Sequence, residues 1–321
     1  MIYLQESQST HLGVNMGIKN LFNKNSDADE VAVTKEDSKT VFTDGLNDVI
    51  SKFSPPKVIK PYVPLYRNVY AFYSPVGGTG VSSFIAHVAN TLHTDTTKVC
   101  ILDLNINFPV VASYFCDVPS EKSIHRAFRV NNPEIGDYVI ANNSAPYVCS
   151  ACYNLAMREY WDTGTRGIEE LITKLSSTFT YVLIDLPSEI LYEGFLVGVG
   201  RCNKVYSLIQ SVMLHLQQLL CTSQQLESDD TIYRHPNAIK DVIQTQVTDN
   251  YFSSSDLSAY GLNLLGLLPF DAEVKLSFDS TALLKKSAKQ QIKHYYGVVD
   301  LICEDIKLNT AFKTGGEDNA R

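Results

Sequence analysis

The sequence predicts an α/β fold, a doubly wound, mostly parallel sheet with helices on both faces. Short runs that are apolar throughout, such as Val69–Tyr73, Val99–Asp103 and Tyr181–Asp185, recur along the chain. Segments with apolar residues at helical spacing lie between them. A glycine cluster (Gly77, Gly78 and Gly80) interrupts the pattern after the first run, and two later runs end in aspartate. Strands apolar on both faces and alternating with helices belong in a parallel sheet covered on both sides.

Residues 1–66 stand apart. Residues 23–30 are polar and acidic and residues 54–64 are rich in proline, so neither buries much surface and the segment is expected to be a flexible arm or linker. Inside it, residues 14–23 have helical spacing, with Ile18, Leu21 and Phe22 on one face. The regular domain is expected over 67–307, followed by a tail at 308–321. Its first strand is Val69–Tyr73, rich in β-branched and aromatic residues. The helix after the glycines carries Phe84, Ile85, Val88, Ala89 and Leu92 as one stripe. Strand Val99–Asp103, a mixed stretch, a helix at 168–175 and strand Tyr181–Asp185 follow. Further strands are expected at 204–209, 239–243 and 263–268, with a helix at 213–226. The C-terminal part reads as helical over 277–289 and again over 291–307.

Apolar residues make up 45% of the 321 and charged residues 19%, a balance that suits a packed core. No apolar run approaches the ~20 residues that span a bilayer, and the first residues lack the basic-then-apolar pattern of a secretory signal. A formal charge of −8 argues against broad electrostatic binding to nucleic acid. The seven cysteines are odd in number and scattered, which fits a reducing compartment. Cys149 and Cys152 have CxxC spacing, but no second pair or histidine pair accompanies them, so they read as small core residues. His87 and His93 read as structural or solvated, and Trp161 beside Tyr160 as packing.

Ligands of open parallel sheets bind at the carboxyl ends of the strands, so the chemistry is expected after Tyr73, Asp103 and Asp185. Between the first strand and its helix runs Ser74-Pro-Val-Gly-Gly-Thr-Gly-Val-Ser-Ser83. A glycine-rich turn there lets backbone N–H groups converge on an anion, and the helix N-terminus adds a favourable dipole. Ser82 stands where a phosphate loop places a Mg²⁺-binding hydroxyl, and Asp103 and Asp185 end strands as carboxylates serving a metal–phosphate site do.

Together these features resemble the ParA/MinD ATPases and their deviant Walker A loop, commonly Lys-Gly-Gly-x-Gly-Lys-Thr. Within that superfamily the chain is most similar to the TadZ/CpaE pilus-assembly branch. The matching text is the run from Ile101 to Phe115, then Ser123-Ile-His-Arg-Ala-Phe128, the run from Phe179 to Pro187, and Leu265-Gly-Leu-Leu-Pro-Phe-Asp271. The resemblance covers about residues 68–300. It implies ATP or ADP with Mg²⁺ as cofactor, and a binding set of Gly77, Gly78, Thr79, Gly80, Val81, Ser82, Ser83, Pro269 and Phe270. It places Ser82, Asp103 and Asp185 at the metal, the two aspartates being the catalytic carboxylates. It also implies a homodimer, protein partners in a pilus or secretion machine, and only indirect membrane contact. The location would be cytoplasmic, with recruitment to the cell pole or the inner face of the membrane.

The chain departs from the pattern at both lysines, which are Val76 and Val81 here. Losing charge where a transition state spreads negative charge costs roughly two to three powers of ten in rate, so binding with weak or absent hydrolysis is expected. The asparagine usual near the base has no clear counterpart in Val242-Ile-Gln-Thr-Gln246. Two other readings stand beside this one: a DNA-partition or MinD-like positioning ATPase, and a scaffold that binds no nucleotide. The acidic charge weighs against DNA partition, and the tail after Lys307, which is no amphipathic anchor, weighs against membrane docking.

Overall fold

The computed structural model describes residues 66–142, 145–153, 164–228, 238–248, 250–287 and 289–311. The arm up to residue 65 with its expected helix at 14–23, the pair Tyr160 and Trp161, and the tail from 312 lie outside the described residues.

The strands are β1 (Val69–Tyr73), β2 (Val99–Asp103), β3 (Ile140–Asn142), β4 (Ala145–Cys149), β5 (Tyr181–Asp185), β6 (Lys204–Gln210), β7 (Asp241–Val247) and β8 (Asn263–Pro269). They form one sheet in the order β3-β4-β2-β5-β1-β6-β7-β8. The β3–β4 pair is antiparallel and the other neighbours are parallel. The strands ending at Tyr73, Asp103 and Asp185 are therefore neighbours, and Asp103 lies in register with Asp185. The helices are α1 (Val81–Leu92), α2 (Thr165–Thr178), α3 (Glu193–Arg201), α4 (Met213–Ser228), α5 (Ser254–Ser258), α6 (Ala272–Asp279) and α7 (Gln290–Ala311). Short 3₁₀ turns lie between residues 111 and 137.

Every residue of β1, β2 and β5 is buried, as a strand with two covered faces requires. On one face Tyr70, Phe72, Leu183, Tyr206 and Leu208 pack with the stripe of α1 and with Ile292, Tyr295, Val299 and Ile302 of α7. The Tyr70 hydroxyl donates to the Ile306 carbonyl at 2.9 Å, tying α7 to the central strand. On the other face the Tyr73 ring stands 5.0 Å from that of Phe195 in α3, and its hydroxyl lies 3.2 Å from Thr222 Oγ1 in α4. Among the described residues no helix is long and apolar enough to cross a membrane.

The expected helix over 277–289 is corrected. Helix α6 ends at Asp279, and Thr281 follows with φ 48°, a left-handed turn that stops the helix. Ser277 and Ser280 turn their hydroxyls onto the carbonyls of Ala282 and Leu276, closing the end of the helix locally. The segment after it is pinned instead to α1, where the Leu284 N–H donates to His87 Nε2 at 2.8 Å. Helix α7 continues to Ala311, beyond the expected end at 307.

Candidate nucleotide site

The turn from β1 into α1 is a backbone cradle. Gly78 has φ 80°, and Gly80, the N-cap of α1, has φ 90° and ψ 20°. Left-handed backbone costs an L residue roughly 1–2 kcal/mol, so glycine here spares the fold that strain. A Cβ built on Gly77 or Gly78 would meet no atom within 4 Å. The space over the loop is thus open to a ligand that approaches the backbone closely. Inside the loop, the Ser74 hydroxyl donates to the Val76 carbonyl at 2.8 Å, holding the bend after β1.

Beyond the loop, Ser82 in the first turn of α1 donates its hydroxyl to Asp185 Oδ2 at 2.6 Å. Asp185 lines a cavity of about 380 Å³ together with Val76, Val81, Ser82, Asn105 and Glu189. Asp103 is fully buried beside it. Its carboxylate accepts from Ser150 Oγ at 2.9 Å and from the Asn105 N–H at 3.1 Å. Burial raises both carboxyl groups above the ordinary carboxylate range. For Asp103 the neighbouring Asp185 adds to the rise, while Ser150 and backbone N–H groups oppose it. For Asp185 the Ser82 hydrogen bond is the opposing influence. Two buried acids side by side hold a proton most readily when no cation is present.

A second cavity, also about 380 Å³, opens on the other side of the loop. It is lined by Gly78, Thr79, Gly80 and Ser83, by Pro269 and Phe270, and by the charged residues Asp271, Lys275 and Asp279. Ser83 is held by the Tyr114 hydroxyl at 2.5 Å. Gln246 also lines this cavity. It has φ 53° at a register shift in β7, and its amide donates to the Gly78 carbonyl at 3.1 Å. Gln244, two residues earlier in that run, is fully buried; its amide oxygen accepts from the Phe252 N–H and the Ser211 hydroxyl, and its amide nitrogen donates to the Phe252 carbonyl.

The structure thus brings Ser82, Asp103 and Asp185 together on one side of the loop, and Pro269 and Phe270 to the other. Gln246, Lys275, Ser150 and Tyr114 escaped the sequence reading. For Ser150 and Tyr114 no local pattern exists to find, since each meets its partner only through the folded sheet and the turns around it. Among the described residues no group of three or more His, Cys, Asp and Glu side chains is placed to hold a metal by itself. Cys149 and Cys152 are both buried thiols. A hydroxyl and buried carboxylates are hard oxygen donors, and Mg²⁺ commonly takes only one or two carboxylates and completes its shell with phosphate and water. The residues present therefore fit Mg²⁺ together with a phosphate chain. Among the described residues, however, no lysine or arginine lines the cavity beside Asp185.

No family model matches the sequence, and no curated protein matches it. Solved structures do match in shape. A ParA family ATPase from Chlorobium tepidum superposes with a TM-score of 0.58 at 16% identity, covering 73% of this chain and 96% of its own. The septum site-determining protein MinD from Pyrococcus horikoshii, complexed with Mg-ADP, gives 0.61 at 13% identity, covering 75% and 98%. A putative plasmid partition protein from Borrelia burgdorferi, bound to AMPPNP, gives 0.53 at 15%, covering 77% and 100%. At these identities the likeness speaks for architecture alone, and with the parallel sheet and its loop it establishes that this chain has the ParA/MinD P-loop NTPase fold.

Proposed function

We propose that the protein is a nucleotide-binding positioning or assembly factor of the ParA/MinD type that binds ATP or ADP with Mg²⁺ and hydrolyses ATP weakly or not at all. The observation that carries this reading is the phosphate cradle: two left-handed glycines open onto α1, with Ser82 2.6 Å from the buried Asp185. Backbone N–H groups of Gly78, Thr79 and Gly80 would take the phosphates. Ser82 and Asp185 would hold the magnesium, with Asp103 behind Asp185 fixing its protonation. Pro269 and Phe270 would border the rest of the nucleotide. Bound Mg²⁺ neutralises phosphate charge and polarises the terminal phosphoryl group. With Val76 and Val81 in place of ammonium groups, that neutralisation is incomplete, which supports binding over turnover.

Nucleotide binding would stabilise one conformation by differential affinity. Recruitment of a second copy and of protein partners, in a pilus or secretion machine of the kind served by TadZ/CpaE-like proteins, would follow from it. The test is calorimetric titration of the full chain with Mg-ATP and Mg-ADP, with mass measurement in the same buffers. Micromolar binding with little phosphate release supports the reading. Absence of binding by either nucleotide makes the chain an inert scaffold, and turnover on the order of 1 s⁻¹ without a partner contradicts the weak-hydrolysis part.

A further inference from the structure

The loop carries valine where the resemblance expects its two cations, yet one lysine lines a cavity beside it. Among the described residues lining the two cavities that flank the loop, Lys275 is the single lysine or arginine. It shares its cavity with Gly78, Thr79 and Gly80. We propose that Lys275 is the nucleotide's cationic contact in this protein, a phosphate-binding residue displaced from the loop to α6. This rests on the reading of the site as a nucleotide site.

Three features of its surroundings support the assignment. Lys275 sits in the first turn of α6, where its N–H donates to the Asp271 carbonyl at 3.0 Å, so its backbone is fixed. Asp271 in turn caps that helix, its Oδ1 accepting from the N–H groups of Glu273 at 2.8 Å and Val274 at 3.2 Å. The ammonium is paired with Asp279 at 3.2 Å, and both side chains are more than half exposed, at 58% and 60%. An exposed i,i+4 pair at the surface is a weak, salt-screened contact. A phosphate chain carrying several negative charges competes easily with one exposed carboxylate for the same ammonium. The neighbouring acid on the helix, Glu273, is already engaged by Lys289. Lys275 is thus held in reserve by a weak partner at the edge of the cavity, on a long side chain that changes partners without moving the helix.

The experiment is calorimetric titration of ATP, ADP and adenosine, each with Mg²⁺, into wild type and the variants Lys275→Met, Lys275→Arg and Asp279→Asn. A charge-assisted hydrogen bond predicts that Lys275→Met weakens ATP by about 10–100-fold. Adenosine binding should stay within twofold, Lys275→Arg should keep most of the ATP affinity, and Asp279→Asn should tighten ATP by freeing the ammonium. The melting temperatures of the free variants should match wild type, since the side chain is exposed. If wild type binds ATP and Lys275→Met binds it equally well, the inference is wrong while the nucleotide reading stands. An equal loss for ATP and adenosine would make Lys275 a packing residue and overturn the inference as well. If wild type binds none of the three, the nucleotide reading itself fails and takes the inference with it.

Discussion

Replacing Asp185 with asparagine should make the free protein more stable while removing its Mg²⁺-dependent binding. Asp185 is 1% exposed, in register with the equally buried Asp103, and its burial pushes the carboxyl up to about 7 from an ordinary 3.8. Between those values the folded state binds more protons than the unfolded state, so wild-type stability falls as pH rises through that window. At about 1.36 kcal/mol per pH unit, the ionised group costs the fold on the order of 2–4 kcal/mol by pH 8. Asparagine keeps the shape and an oxygen to accept from Ser82 Oγ, and it carries no charge. Thermal unfolding of Asp185→Asn and wild type from pH 5 to 8.5 should therefore show curves that converge in acid and separate in base. With about 2–4 °C per kcal/mol for a domain of this size, the gap at pH 8 should be several degrees in favour of the variant. Calorimetry should show the Mg²⁺ contribution to ATP binding gone. A variant less stable than wild type at pH 8, or a gap that ignores pH, would refute the claim that this carboxylate is held against its solvation preference for the sake of a ligand.

Ser82→Ala removes the hydroxyl that meets Asp185 at 2.6 Å. ATP affinities measured with Mg²⁺ and with chelator should then become nearly equal, whereas wild type should favour Mg²⁺ by tenfold or more, the worth of about one charge-assisted contact. Gly167→Ala tests the packing of α2: its Cβ would lie 2.6 Å from both Cα and O of Phe128, which are backbone atoms unable to turn aside. Denaturant titration should show a loss of about 1–3 kcal/mol, the usual cost of overpacking. His87 is buried, Nδ1 faces the Ser83 carbonyl at 2.7 Å and Nε2 accepts from Leu284, and burial lowers its pKa from 6.5. The unfolded chain therefore takes up the proton first, and stability should fall as pH drops below about 6.5. His87→Asn should flatten that part of the profile relative to wild type.

The architecture was legible because periodicity states it directly. Runs such as Val182-Leu-Ile184 have only one home, a strand covered twice, and the three central strands came out with their residue bounds intact. The loop was legible because left-handed backbone leaves few choices besides glycine. Other features depended on contacts that no local pattern encodes. The antiparallel β3–β4 pair is short, and Pro146 inside β4 disguises it as a strand. Helix α6 was misplaced because residues 277–289 have acceptable helix formers. What decides the matter is the Leu284 N–H finding His87, 197 positions earlier in the chain. Gln244 and Gln246 are two apart and should share a face of β7. The register shift between Gln244 and Val247 sends one into the core and the other onto the phosphate loop. Tertiary structure alone separates them.

The pattern of retention and loss in the site narrows what it is for. A buried acid pair and the left-handed Gln246 each make the free protein less stable than a plain strand–turn–helix joint would be. A joint serving only the fold has no physical reason to keep them. Asparagine in place of Asp185 keeps the shape without the buried charge. The lysines, by contrast, sit where their ammonium groups would be solvated and add little to stability, so their absence cannot be a stabilising adjustment of the fold. The site thus keeps a buried acid pair that a bound cation would relieve, and it carries valine at both positions where the resemblance expects a lysine. The proposed ligand-holding site, with Lys275 of α6 as its proposed cationic contact, accounts for both halves of that pattern, whereas an inert joint leaves the buried acid pair unexplained.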